Sequence, residues 1–125
     1  MAYQGPVSRW DVFRADLDNP VGSEQGGTRP VIIISNDAFN HVASVVTVVP
    51  LTSLKEGRKG YPHEVILPPG LLTQGITSIA LLQQVRTISK IRLLDMMGHI
   101  HDAALQYEME DRLLDHLGID LETDD

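Results

Sequence analysis

A chain of 125 residues with 42% apolar side chains can bury a core of ordinary globular composition, which excludes a disordered or disulfide-stapled class. It has no cysteine, so thiolate and disulfide chemistry are absent, and no apolar run reaches membrane-spanning length or forms a signal core behind MAYQGPVSRW. The net charge of −7 is uneven: residues 1–92 hold nine Lys/Arg against seven Asp/Glu, and residues 93–125 hold one against ten. The acidity therefore belongs to the end of the chain, and the remainder is free to meet an anion such as nucleic acid. These bounds predict a soluble cytoplasmic protein with no membrane contact. They also predict one domain over 1–125, with a core at about 9–118 and an acidic tail at 119–125.

In chain order, residues 10–17 (WDVFRADL) alternate apolar and polar as a half-buried strand does. Residues 31–34 are a β-branched run that reads as a fully buried strand. Ser35, Asn36 and Asp37 offer N-caps for a short helix over 38–43. Residues 45–51 (VVTVVPL) are again strand-like, and Pro50 predicts a position at an edge or near the strand's end. A polar loop over 54–62 is followed by a strand at 64–67 and a turn at Pro68-Pro69-Gly70. Residues 78–88 (SIALLQQVRTI) read as a longer strand that runs on past a bend. Met96, Met97 and the leucines around them read as core. From Asp102, apolar residues spaced mainly by threes and fours predict a helix, with Asp102 as N-cap and Gly118 as stop. Several short strands and one helix give a mostly antiparallel sheet or small barrel.

The stretch GSEQGGTRPV, residues 22–31, has two readings. Glycines at 22, 26 and 27 let backbone N–H groups form an anion nest, or they supply positive φ to a plain hairpin. No Lys-Ser/Thr pair follows and the loop leads into a strand, so neither a Walker nor a dinucleotide fingerprint fits. Arg29 precedes Pro30, which extends its backbone and restrains a guanidinium able to hold a phosphate bidentately. The alternative is an ion pair with Glu24 that ties the loop down. Thr52 and Ser53 either cap a turn or donate to a phosphate, and Arg86-Thr87 invite the same two readings. Lys55, Arg58 and Lys59 form a basic tip that is solvated or steers phosphates. Trp10 packs at the face of a dimer or offers a stacking surface. His99 and His101 alternate, but no third ligand has matching spacing, so neither a metal nor another cofactor is expected.

Taken together, GSEQGGTRPVIIISND, VVPLTS and LLQQVRTISKIRL, in this order and ahead of an acidic helix, resemble the MazF/PemK family of toxin endoribonucleases over roughly residues 9–117. The resemblance implies a small SH3-like, CcdB-like antiparallel β barrel with a C-terminal helix. It implies a homodimer, metal-independent cleavage of single-stranded RNA, and a cognate antitoxin that covers the site. By position it gives catalytic roles to Arg29, Thr52 and Glu24, and RNA contacts to Ser23, Gln25 and Gln84. Ser53, Lys55, Arg58, Lys59 and Arg86 join them as RNA-binding candidates. Three positions depart from the pattern: Trp10 where the family usually has Arg-Gly-Asp-Val, Gln83 where some members carry a carboxylate, and Ser89 in place of aspartate.

Such a reaction needs a base for the ribose 2′-hydroxyl, a charge against the phosphorane and a proton for the 5′ oxygen. Arg29 suits the second role. Glu24 is the candidate base; a free glutamate near ~4.3 is weak at neutral pH, and burial beneath the loop and a bound phosphate would strengthen it. Two other readings stay open: a CcdB-like toxin that binds and poisons DNA gyrase without cutting, and a silent homologue that binds RNA or antitoxin.

Overall fold

The computed structural model of the chain describes residues 2–54, 61–71 and 77–121. Seven strands form one antiparallel sheet: β1 (Asp11–Asp16), β2 (Thr28–Ile33), β3 (Val45–Ser53), β4 (Glu64–Leu67), β5 (Ser78–Leu81), β6 (Arg86–Ser89) and β7 (Leu93–His99). The strand order is β4-β5-β3-β2-β1-β7, and β6 pairs with the first half of β3 on the side that β5 takes further along. Among the described residues the path does not close on itself, so the sheet is an open form of the expected barrel. Two helices complete it, α1 (Asp37–Asn40) and α2 (Ala103–His116). None is long and apolar enough to cross a membrane.

Period-2 alternation feeds a core on each face of this sheet. Val31 and Ile33 of β2 and Val46 and Val48 of β3 join Phe13, Ala15 and Leu17 in one cluster. Val12, Ile32, Val49 and Leu51 join Trp10, Leu82 and Ile100 in the other, which α2 covers with Met109, Leu105 and Leu113. Burial on both faces is why residues 31–34 read as an unbroken apolar run rather than an alternating one. Both predicted caps form: Asn36 accepts from Phe39 N at 2.9 Å, and Asp102 accepts from Ala104 N and Leu105 N at 2.9 and 3.2 Å. The first helix is shorter than 38–43 suggested, and Gly118 ends the second with φ +70.

Four expectations change. Leu93–His99 is a strand, although its sequence read only as core residues; two register shifts against β1 break its alternation, and Met96 is 45% exposed. Pro50 is not at an edge, and it stands three residues inside the end of β3. It pairs with Val31 inside β3, and Val49 and Pro50 are the residues that the β5–β6 side leaves without a register partner, where a missing N–H is tolerated. Residues 78–88 are two strands broken by a 3-10 turn at Leu82–Gln84. Trp10 stands just outside β1, 7% exposed with φ +74, buried in the core beneath the Arg9 guanidinium at 4.8 Å, so it offers no stacking surface. A left-handed backbone is what a glycine supplies freely, which explains the Arg-Gly-Asp-Val pattern that this chain replaces.

Candidate functional site

The stretch GSEQGGTRPV forms the hairpin, with positive φ at Gly22 and Gly27. It closes a β1–β2 hairpin, with Asp16 opposite Thr28, Leu17 N donating to Gly27 O at 2.9 Å and Gly27 N donating to Asp18 O at 2.7 Å. Gly27 has φ +70, and a Cβ at Gly26 would overlap the Pro20 ring and the Asp18 carbonyl, so the close approach admits no side chain there. The loop so folded then holds Arg29. Arg29 Nε donates to Gly26 O at 2.9 Å, and one terminal nitrogen reaches Leu51 O at 3.4 Å.

Thr52 comes to the same place from β3. The β2–β3 register pairs Val31 with Pro50 and Ile32 with Val49; continued, it sets Arg29 level with Thr52. Arg29 shares its face of β2 with Val31 and Ile33, and Thr52 shares its face of β3 with Val46 and Val48, so both belong to one side of the sheet. Ser53, exposed and paired with Ser78, follows on the opposite face. Thr52 and Ser53 lie within the strand ladder rather than capping a turn.

Charge separates these residues from the rest of the surface. Arg9, Arg14, Arg92 and Arg112 each have a carboxylate partner, at 2.9, 2.6, 3.8 and 3.9 Å. Arg29 and Arg86 have none among the described residues. The Arg29–Glu24 ion pair considered from the sequence is not formed: Glu24 Oε1 accepts instead from Val21 N at 3.0 Å. Glu24 is exposed, so the loop alone does not bury it. A half-buried guanidinium tied to two carbonyls, which carry no net charge, keeps its own charge uncompensated and its remaining N–H groups available.

The other sequence candidates divide. Gln84, on the 3-10 turn, lies against the hairpin loop, its Nε2 donating to Ser23 O at 3.0 Å. Ser23 is exposed and Gln25 half-buried in that loop. Arg86 lies further along β6, opposite Val48. Lys55, Arg58 and Lys59 fall outside the described residues. His99 Nδ1 is bound to the buried Asp11 carboxylate at 2.7 Å, remote in the ladder from Arg29. Reasoning from sequence missed Glu64, which is 8% exposed and accepts from Gln83 Nε2 at 2.7 Å. A carboxylate opening the apolar run EVIL was the one available sign of it.

Comparison with known proteins places this geometry among relatives. A family described as "PemK-like, MazF-like toxin of type II toxin-antitoxin system" matches residues 8–116. The chain is 39% identical to the endoribonuclease EndoA of Bacillus subtilis (strain 168), over 92% of this chain and 94% of the relative. Its fold is similar to the crystal structure of MazF from Deinococcus radiodurans, with TM-score 0.78 and 26% identity over 93% of this chain and 100% of the other. A mycobacterial endoribonuclease solved in complex with its cognate antitoxin superimposes with TM-score 0.72 and 27% identity, over 93% and 99%.

Proposed function

The chain belongs to the PemK-like, MazF-like toxins of type II toxin–antitoxin systems and is an endoribonuclease; from that premise we propose that it cuts single-stranded RNA, without a metal ion and at selected sequences, where Arg29 and Thr52 meet the loop at residues 22–27. The observation that carries this reading is the guanidinium of Arg29, tied to Gly26 O and Leu51 O with no carboxylate partner among the described residues. Its free N–H groups take two phosphate oxygens and meet the charge that grows on the phosphorane. The Thr52 hydroxyl adds a hydrogen bond to the same phosphate.

In the reaction, the ribose 2′-oxygen bonds to phosphorus and the bond from phosphorus to the 5′ oxygen breaks. A 2′,3′-cyclic phosphate and a 5′-hydroxyl end remain. Glu24 takes the 2′-hydroxyl proton through Oε2, the oxygen that Val21 N leaves free. The 5′ oxygen takes a proton from a solvent water as it leaves, and the proton held by Glu24 returns to solvent. Ser23 and Gln25 line the loop beside the phosphate, Arg86 extends the anion-binding surface along β6, Ser53 meets the RNA from the other face of β3, and Lys55, Arg58 and Lys59 attract the strand by their charge. A toxin that acted by binding alone would have no use for a tethered guanidinium level with a hydroxyl. By analogy with the mycobacterial relative, a cognate antitoxin inhibits the chain by covering this surface. The active form is a homodimer in the cytoplasm, where its substrate is.

The test is incubation of the purified protein with a long single-stranded RNA in EDTA, beside Arg29→Ala, with both new ends mapped. Discrete cuts leaving 5′-hydroxyl ends, absent in the variant, are expected. Intact RNA with folded wild-type protein overturns the reading.

A further inference from the structure

The turn Leu82–Gln84 carries two adjacent glutamines, and successive side chains on a 3-10 turn point about 120° apart. They grip different neighbours. Gln83 Nε2 donates to the Glu64 carboxylate at the start of β4, at 2.7 Å. Gln84 Nε2 donates to Ser23 O in the hairpin loop, at 3.0 Å. Because an ionised carboxylate only accepts, the Gln83 amide is fixed with its nitrogen on Glu64, and its Oε1 is left buried with no partner. An orphaned buried acceptor is a liability that an apolar side chain would avoid, so packing alone does not explain this glutamine.

The same loop holds Arg29 through Gly26 O, three residues beyond Ser23. From this chain of contacts we propose that Gln84 is a positioning residue: by holding Ser23 O it fixes the loop that aims the Arg29 guanidinium, and the Gln83–Glu64 bond anchors the turn from which it reaches. The proposal rests on the nuclease reading and assigns Gln84 a part different from the RNA contact implied by resemblance. Its Nε2 acts on the enzyme's own backbone, so its removal slows every cut alike instead of changing which base is preferred.

Two variants of the full chain separate these roles. Gln84→Met keeps length and loses the donor; Gln84→Lys keeps a donor and loses the acceptor. Single-turnover cleavage of an RNA carrying the mapped site is measured at increasing protein concentration. For Gln84→Met the maximal rate is expected to fall about 10–100-fold, the range that a small misplacement of a catalytic group produces. The half-saturating concentration and the cut sequence stay as in wild type, and Gln84→Lys recovers most of the rate. Independently of RNA, the Arg29 Nε–H and the amides of residues 22–27 exchange faster with solvent in Gln84→Met by NMR, while the thermal transition shows that the chain remains folded. A Gln84→Met variant with relaxed base preference, or with a raised half-saturating concentration at unchanged maximal rate, makes Gln84 a base reader and overturns the proposal. Unchanged exchange at Arg29 overturns it too. A wild-type protein that leaves RNA intact overturns the nuclease reading alone, and the exchange measurement still decides the latch.

Discussion

At its far end β2 runs into residues 35–40, where the polar side chains are taken up by hydrogen bonds within the fold. Asn40 is fully buried, its amide nitrogen on Ser35 O at 2.7 Å and its Oδ1 on Ser35 Oγ at 2.5 Å, while Ser35 Oγ also receives Thr47 N at 3.0 Å. Asp37 accepts Arg9 N at 2.7 Å. At its near end β2 begins from residues 18–27, where backbone closes the turn and the side chains of Ser23 and Glu24 stay exposed. Both turns are dense in hydrogen bonds and both hold a cation through a carbonyl, Lys90 at Asn40 O and Arg29 at Gly26 O, yet only the second holds a guanidinium level with a hydroxyl. A turn that satisfies its own side chains can do nothing but hold the fold. One that spends its carbonyls on positioning an arginine keeps that arginine's charge for something else.

The largest expected contrast comes from Arg29→Ala against Asn40→Ala. Loss of a preorganised charge contact lowers cleavage on the order of 10²–10³-fold, by analogy with an oxyanion-hole donor. The thermal midpoint should hardly move, because Arg29 is only half-buried. Asn40→Ala should do the reverse: emptying a buried hydrogen-bond centre costs about 1–3 kcal/mol, read by urea denaturation, with cleavage per folded molecule intact. If Arg29→Ala unfolds the chain, or Asn40→Ala abolishes cleavage in folded protein, the two ends of β2 are not different in kind.

Next in size is Thr52→Val, which keeps the β-branched shape in β3 and deletes the hydroxyl. A hydrogen bond to a charged group is worth about 1.5–3 kcal/mol, so the cleavage rate should fall roughly 10–100-fold with an unchanged circular dichroism spectrum. An undiminished rate would leave Thr52 as a ladder residue only.

The smallest effect concerns Asp37. The Arg9 backbone N–H, followed by the Asn40 side chain and the nearby His41 and Arg9 charges, holds its carboxyl below the ordinary value of 3.8, against a smaller opposing pull from burial. A depressed carboxyl stabilises the fold above its unfolded value, and that contribution is lost as pH falls through the folded value. Asp37→Asn should therefore flatten the acid limb of the stability–pH curve slightly below about pH 4, and leave neutral-pH cleavage unchanged. A steeper acid limb in the variant would reverse the assignment.

How much of this was legible in the sequence depends on where the determining atoms lie. Asn36 and Asp102 cap their helices through their own side chains, and residue type alone predicted both. The extended backbone of Arg29 followed from Pro30, and a bend within residues 78–88 was expected, though not the break into two strands. β7 was not legible, because its bulges against β1 spoil the alternation by which a strand is recognised. Pro50 was misplaced because the gap between β5 and β6 that accommodates it is a property of three strands at once. At the site, the residue types Arg, Thr, Glu and Gln were readable. Their tethers, Gly26 O, Leu51 O and Ser23 O, are backbone atoms that every residue possesses, so no residue type announces them.

Trp10 has a consequence for how this chain can change. Its backbone occupies the left-handed region, which costs a non-glycine residue roughly 1–2 kcal/mol, while its indole fills the core beside Met109 and Leu113. Glycine would relieve the first and leave a void the size of an indole; truncations of that kind cost about 3–5 kcal/mol. Any other side chain inherits the strained backbone and fills the space less well. Position 10 is thus mutationally locked: a lineage that has acquired this tryptophan returns to glycine only after larger residues elsewhere in the cluster have closed the gap, and the order of those steps is set by packing rather than by the site.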